Sequence, residues 1–249
     1  MSKNSFQGML SQRLGAGIFI TGKVLRFGFF LAFIYLLLKG TNSLAGYNFN
    51  QTLFFFLTFN LIDVTTQFLF REVYRFRPLI VSGSFDLVLA KPISPLFRSL
   101  MGGADVLDLI TMPPLILAVY LVGRSLGPTP TQVFYYLFLL ANGLLIATAF
   151  HIAVISMGII TLEIDHTIMI YRDLTNLGRF PVDIYRQPLQ GVLTYLIPVG
   201  IMVTLPANAL MGLVSLPGIL LSFLVGVVFI FIAIYFWNFA LTKYTSASS

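Results

Sequence analysis

Long, unbroken apolar runs constrain this chain more than any other feature. They cover Val24–Leu38, Thr52–Phe70, Val106–Val122, Val133–Ile160, Gly191–Leu213 and Ile219–Leu241. Most reach the roughly 20 residues that an α-helix needs to cross the hydrocarbon of a bilayer. Charged residues make up only 10% of the chain, against about 25% in an ordinary soluble domain. The mean hydropathy is +0.91. A soluble domain of 249 residues cannot hide a hydrophobic content of 57% in one core. In lipid the backbone must satisfy its own hydrogen bonds, as helices or as a closed barrel. A barrel would show short alternating segments instead of long runs. The expected fold is all-α: a polytopic membrane protein with six transmembrane helices, forming a single transmembrane domain over residues 1–249.

Before the first run, Phe6, Met9, Leu10, Leu14 and Ile18 recur at three- and four-residue steps, with Ser5, Gln7, Ser11, Gln12 and Arg13 largely between them. That pattern predicts an amphipathic helix over 1–22, lying on the membrane surface. No apolar core precedes a small-residue cleavage site, so no cleavable signal is expected. With a cytoplasmic N-terminus, thirteen Lys and Arg fall inside and only Lys39 and Arg124 outside. Positive charge favours the cytoplasmic side, which predicts both termini in the cytoplasm.

Residues 161–190 (TLEIDHTIMIYRDLTNLGRFPVDIYRQPLQ) fit neither a loop nor an ordinary span. In one arrangement they form a cytoplasmic connector, and 191–213 makes the fifth span. In the other, 161–180 is a polar span, and the run containing Pro198 and Pro206 dips back from the outside. The second moves Arg179 and Arg186 outside, giving eleven against four. Polar residues in a span are costly unless they face protein or water, so hydropathy leans towards the connector.

Several chemistries find no support. The chain has no cysteine, which removes thiolate metal sites and cysteine catalysis. Its net charge of +6 is scattered among apolar helices, with no basic face for nucleic acid. Gly17, Gly22 and Lys23 have the spacing of a phosphate-binding loop, but Val24 replaces the required Ser or Thr and no strand precedes. Asn50-Gln51-Thr52 is a weak glycosylation triplet. His151 and His166, the only histidines, have no neighbouring ligand set, and no metal is expected.

Three features bear on function. Asn60, Asp63 and Gln67 share one face of the second span, where an ionisable residue points to a water-lined path or a partner helix. Asp105 and Asp108 stand one turn apart at the start of the third run and complement the helix dipole or pair with a nearby Arg. The loop Arg71–Leu100 has a helix start: Ser82 or Ser84 as cap, Asp86 in the first turn, and Phe85, Leu87, Val88 and Leu89 as apolar residues, ended by Lys91-Pro92. A short capped helix with apolar residues, held between basic anchors, suits docking to a partner; the alternative is a helix resting on headgroups.

GSFDLVLAKPISPLFRSL (Gly83–Leu100) resembles the segment after the second span of ABC type-2 exporter permeases. RFPVDIYRQPL (Arg179–Leu189) and LTYLIPVGIMVTLPANALMG (Leu193–Gly212) resemble a second signature of one branch of that superfamily. The resemblance covers nearly the whole chain. It implies a permease subunit with six spans, paired with an identical or related second permease in a bacterial or archaeal inner membrane. Two separate ABC ATPase subunits would bind below and hold the ATP and magnesium, leaving this chain without a cofactor or catalytic site. Gly83, Ser84, Phe85, Asp86, Leu87, Leu89, Lys91 and Pro92 would form the coupling helix in the ATPase groove, and Asn60, Asp63, Gln67 and Asp165 could line the transport path. In the wider superfamily the FP…P motif lies outside after the fifth span, which favours the polar-span arrangement.

Two other classes compete. An ion-coupled secondary transporter or channel would use Asp63 and Asp165, but no inverted repeat is evident. A lipid-modifying membrane enzyme would need clustered His, Asp or Glu at an interface, and none is found.

Overall fold

The computed structural model describes residues 13–41, 43–101 and 106–245. Helix α1 (Arg13–Thr41) runs without interruption through the first apolar run. Of the surface helix expected over 1–22, residues 1–12 lie outside the described residues; 13–22 extend the span itself, with no break at Gly22-Lys23. A tight turn through Ala45 and Gly46, both at positive φ, and a two-bond bridge between Leu44 and Tyr47 reverse the chain. Asn48 then caps α2 (Phe49–Leu69): its side chain accepts from the Gln51 amide at 3.0 Å, and the Gln51 side chain accepts from the Asn48 amide at 2.9 Å. This capping box fixes where the second span begins.

A compact arm follows: a 3-10 turn (Arg71–Arg75), α3 (Phe76–Val81), α4 (Phe85–Leu89) and α5 (Pro95–Met101). Helix α6 (Val106–Ser125) passes through Pro113-Pro114 unbroken. Thr129 and Gln132 form a second capping box for α7 (Pro130–Thr161), which has Pro130 in the first turn. Leu162, at φ 59°, ends α7 and turns the chain into α8 (Ile164–Asn176). The last long helix is α11 (Leu216–Thr242), capped by Ser215. The apolar runs therefore become helices α1, α2, α6, α7 and α11 almost as expected, each long and apolar enough to cross a membrane.

The fifth run does not. It forms a bent pair, α9 (Leu189–Leu196) and α10 (Gly200–Leu210), meeting at 74°. Pro198 lies in the break, where its missing N–H and its ring oppose a continuous helix. Both limbs touch the end of the bundle that carries the α1–α2 turn. Gln190 donates to Asp183 at 3.1 Å, Tyr47 donates to Asp183 at 2.8 Å, and the Asn208 amide lies 3.1 Å from the Tyr47 hydroxyl. The polar segment before the pair takes the long route. Asp165, in the first turn of α8, pairs with Arg77 of the arm at 3.3 Å. Asp183 meets Tyr47 at the opposite end. About 20 residues of helix cover about 30 Å, which suits α8 and the short 3-10 turns after it. Residues 191–213 thus enter and leave at one end of the bundle, while 164–184 run from the arm end to the other.

Close approach seats the bent pair. A Cβ on Gly143 of α7 would lie 2.4 Å from the Met202 carbonyl oxygen, and one on Gly178 would lie 2.5 Å from Val199. At the arm end one apolar cluster unites Phe76, Phe85, Ile155, Ile164 and Trp237, from the arm, α7, α8 and α11. At the other end Phe54, Phe55, Val119, Tyr136 and Leu210 pack together.

Candidate functional site: a fastened arm and a charged track

The arm is anchored at its base. Glu72 and Arg98 form a mostly buried ion pair at 3.0 Å, joining the 3-10 turn to α5. Gly83, at φ +70°, makes the turn into α4, a backbone conformation that suits glycine. The expected capping of the helix amides is absent: the Ser82 hydroxyl accepts from the Ser84 amide at 3.4 Å, and the two hydroxyls bond each other at 2.8 Å. The coupling-helix residues divide by side. Phe85 is fully buried, its ring edge-on to Phe76 at 5.2 Å, Tyr244 at 5.2 Å and Trp237 at 6.5 Å. Val88 is buried beside it. Leu87, Leu89, Lys91 and Pro92 are exposed, and Ile93 and Phe97 continue that outward apolar surface. Gly83, Ser84 and Asp86 sit between these extremes.

The second feature lies among α1, α2 and the end of α8. Arg179 places its guanidinium 5.9 Å from the centre of the Phe30 ring and 5.7 Å from that of Phe59. Phe30 and Phe59 each stand near the middle of their helices, so Arg179 sits at mid-depth. Phe30 and Phe59 have charged neighbours one turn towards the arm: Arg26 at i−4 on α1, and Asp63 at i+4 on α2. Arg172 lies two turns before Arg179. Arg26, Asp63 and Arg172 all act electrostatically on Arg179. Among the described residues none of these four forms an ion pair within 4 Å. Asn60 and Gln67 extend the stripe on α2, and the Asn60 amide also donates to the Phe56 carbonyl at 2.7 Å. Above Arg179 the polar track stops at packed rings: Phe30 stacks on Phe56 at 4.3 Å, and Phe180 touches Phe30 at 5.4 Å and Phe33 at 6.3 Å.

Beyond that aromatic layer, a cavity of about 220 Å³ opens, lined by Asp183, Gln187, Gln190, Thr194 and Asn208 among others. Burial, reinforced by the Asp183 carboxylate, pushes the Tyr47 hydroxyl up to about 12, so Tyr47 stays a donor at neutral pH.

Of the expected path residues, Asn60, Asp63 and Gln67 lie together, whereas Asp165 is exposed on the arm side with Arg77. Arg26, Arg172 and Arg179 are not among the expected path residues, since the sequence weighs them only by their side of the membrane. The signal was there: Arg179 opens the RFPVDIYRQPL signature. The remaining motifs take ordinary places. Gly17, Gly22 and Lys23 are helical within α1, and Lys23 pairs with Asp108. Asp105 lies outside the described residues. Asn50 is in the first turn of α2, with Thr52 buried. His151 is buried with Nδ1 2.7 Å from the Ala147 carbonyl, and His166 faces Glu163 at 3.0 Å. Among the described residues no group of His, Asp and Glu could hold a metal.

The chain is a multi-pass helical protein with several spans long and apolar enough for a membrane, and the family comparison gives its class. The model of the ABC-2 family transporter proteins matches residues 24–248. The chain belongs to that family: it is a permease component of an ABC transporter, a membership that implies association with ABC ATPase components. No curated protein and no solved structure matches it.

Proposed function

We propose that this permease works as one of two paired membrane subunits in an exporter, driven by separate ATPase subunits that grip the arm. The carrying observation is the division of α4: Phe85 is locked into the α11 end, while Leu87, Leu89, Lys91 and Pro92 face outward. A partner that pushes on the outward residues moves the inward one, and with it the ends of α7, α8 and α11. Transmission of this kind needs only a rigid-body shift between two packings. ATP and magnesium belong to the ATPase in this reading.

The polar segment makes the fifth crossing, from Asp165 to Asp183, and the 189–210 pair is a re-entrant hairpin on the outer side. The described chain ends, Arg13 and the Tyr244 region, then lie with the arm on the cytoplasmic side, as does most of the basic charge. The aromatic layer over Arg179 separates an inward-facing track from the outer cavity, the arrangement of a permease closed to the outside. Asn60, Asp63 and Gln67 line the inner part of that track.

Purification of the tagged chain from its native membrane tests the assignment. The expected result is a stoichiometric ABC ATPase and a second permease chain in the same complex. Recovery of the chain alone under conditions that keep it folded, together with ion-gradient-driven transport, would point instead to a secondary transporter.

A further inference from the structure

A track of three arginines and one carboxylate (Arg26, Arg172, Arg179 and Asp63) carries a net charge of +2. An arginine at the middle of the hydrocarbon is costly and marks a functional path when it lacks a paired acid. Arg179 has aromatic faces on two sides and no carboxylate within 4 Å among the described residues, so its remaining hydrogen-bond donors are available to a ligand. The track is also open sideways. Arg26 is exposed on α1, and its neighbours Leu25 and Phe29 are exposed at 53% and 72%, so apolar surface open to lipid surrounds it.

We propose that this track binds the anionic headgroup of an amphiphile, a phosphate or carboxylate, that enters from the lipid on the arm side with its tails remaining in the hydrocarbon. The proposal rests on the permease reading and adds the substrate class. Arginine forks match such oxyanions with paired hydrogen bonds. Asp63 offsets one of the three arginine charges and leaves the track positive. The aromatic layer of Phe30, Phe33, Phe56 and Phe180 stops the headgroup at mid-depth until the helices move. A cationic headgroup would meet the net positive charge and be excluded.

The test uses the full chain in phosphatidylcholine vesicles without any ATPase, so its failure is separable from failure of the coupling reading. Spin-labelled phosphatidic acid and spin-labelled phosphatidylcholine are compared for the fraction immobilised by the protein. The wild type should prefer phosphatidic acid. Arg26→Gln and Arg179→Gln should each lower that preference about fivefold, the usual effect of one basic residue on an anionic lipid. Arg179→Lys, which keeps the charge but loses the fork, should fall between the wild type and Arg179→Gln, and Lys39→Gln, at the far end of α1, should change nothing. Because Arg26 is exposed, its variant should fold normally and keep the result readable. If millimolar inorganic phosphate abolishes the preference, the oxyanion site stands but its ligand comes from water; no effect of phosphate assigns it to lipid. Absence of preference in the wild type, or equal preference in Arg26→Gln, Arg179→Gln and Lys39→Gln, would overturn the proposal.

Discussion

Phe85 and Tyr244 meet edge to face, with ring centroids 5.2 Å apart and planes at 86°. Residue 85 belongs to the arm between the second and third long helices, and residue 244 follows the last one. This contact, with Trp237 behind it, ties the arm to the end of the chain.

Truncating Phe85 should therefore act on stability first. Phe85→Ala leaves a cavity in the arm-end cluster, and changes of this kind cost about 3–5 kcal/mol. The melting temperature of the detergent-solubilised protein should fall by several degrees, whereas Leu87→Ala, on the exposed side of the same helix, should leave it unchanged. Equal effects of the two would contradict the inward–outward division.

Gly143 should resist even a methyl group. Its Cβ would meet the Met202 carbonyl at 2.4 Å, a backbone atom that cannot swing aside. Overpacking usually costs about 1–3 kcal/mol, so Gly143→Ala should lower thermal stability. Gly28→Ala, with open space around it, should be neutral or slightly stabilising because alanine favours helix.

The Glu72–Arg98 pair should be worth measuring as a cycle. Either single change to alanine strands a mostly buried charge, and should cost about 1–3 kcal/mol; the double variant should cost less than the sum. Additivity in melting temperature would mean that the pair contributes nothing beyond its separate residues.

Two single cysteines in this naturally cysteine-free chain report the route of the polar segment. Arg186→Cys should react with a membrane-impermeant maleimide from outside intact cells. Lys91→Cys should react only after permeabilisation. Protection of both sites in intact cells would restore the cytoplasmic-connector arrangement.

Five of the six apolar runs were readable because a lipid-facing helix must be apolar along most of its length, and the two capping boxes at Asn48 and Thr129 mark where two of them start. The polar segment was not, because hydropathy scores a residue's transfer to lipid and ignores what it faces. Arg179 lies against Phe30 and Phe59 and within the field of Asp63, a relationship between positions more than a hundred residues apart in sequence. Charge counting likewise weighs Arg26 by side alone and not by what it faces. In the arm, the short helix was legible from Asp86 and Lys91-Pro92, but its inward side was not: Phe85 and Leu87 look alike in sequence, and only the position of Trp237 and Tyr244 separates them. The bent pair was half-legible, since Pro198 announced a break but not the return of both limbs to one end.

In the proposed coupling a separate ATPase drives this permease through the outward side of α4. Co-purification of the co-expressed ATPase with a Leu87→Asp/Leu89→Asp variant tests it most directly, since both residues are exposed and the change should not unfold the chain. Interface hot spots cost about 2 kcal/mol or more when lost, so recovery of the ATPase should drop at least about tenfold while the permease elutes normally. Undiminished recovery, with ATP hydrolysis still stimulated by the variant, would rule out α4 as the ATPase contact.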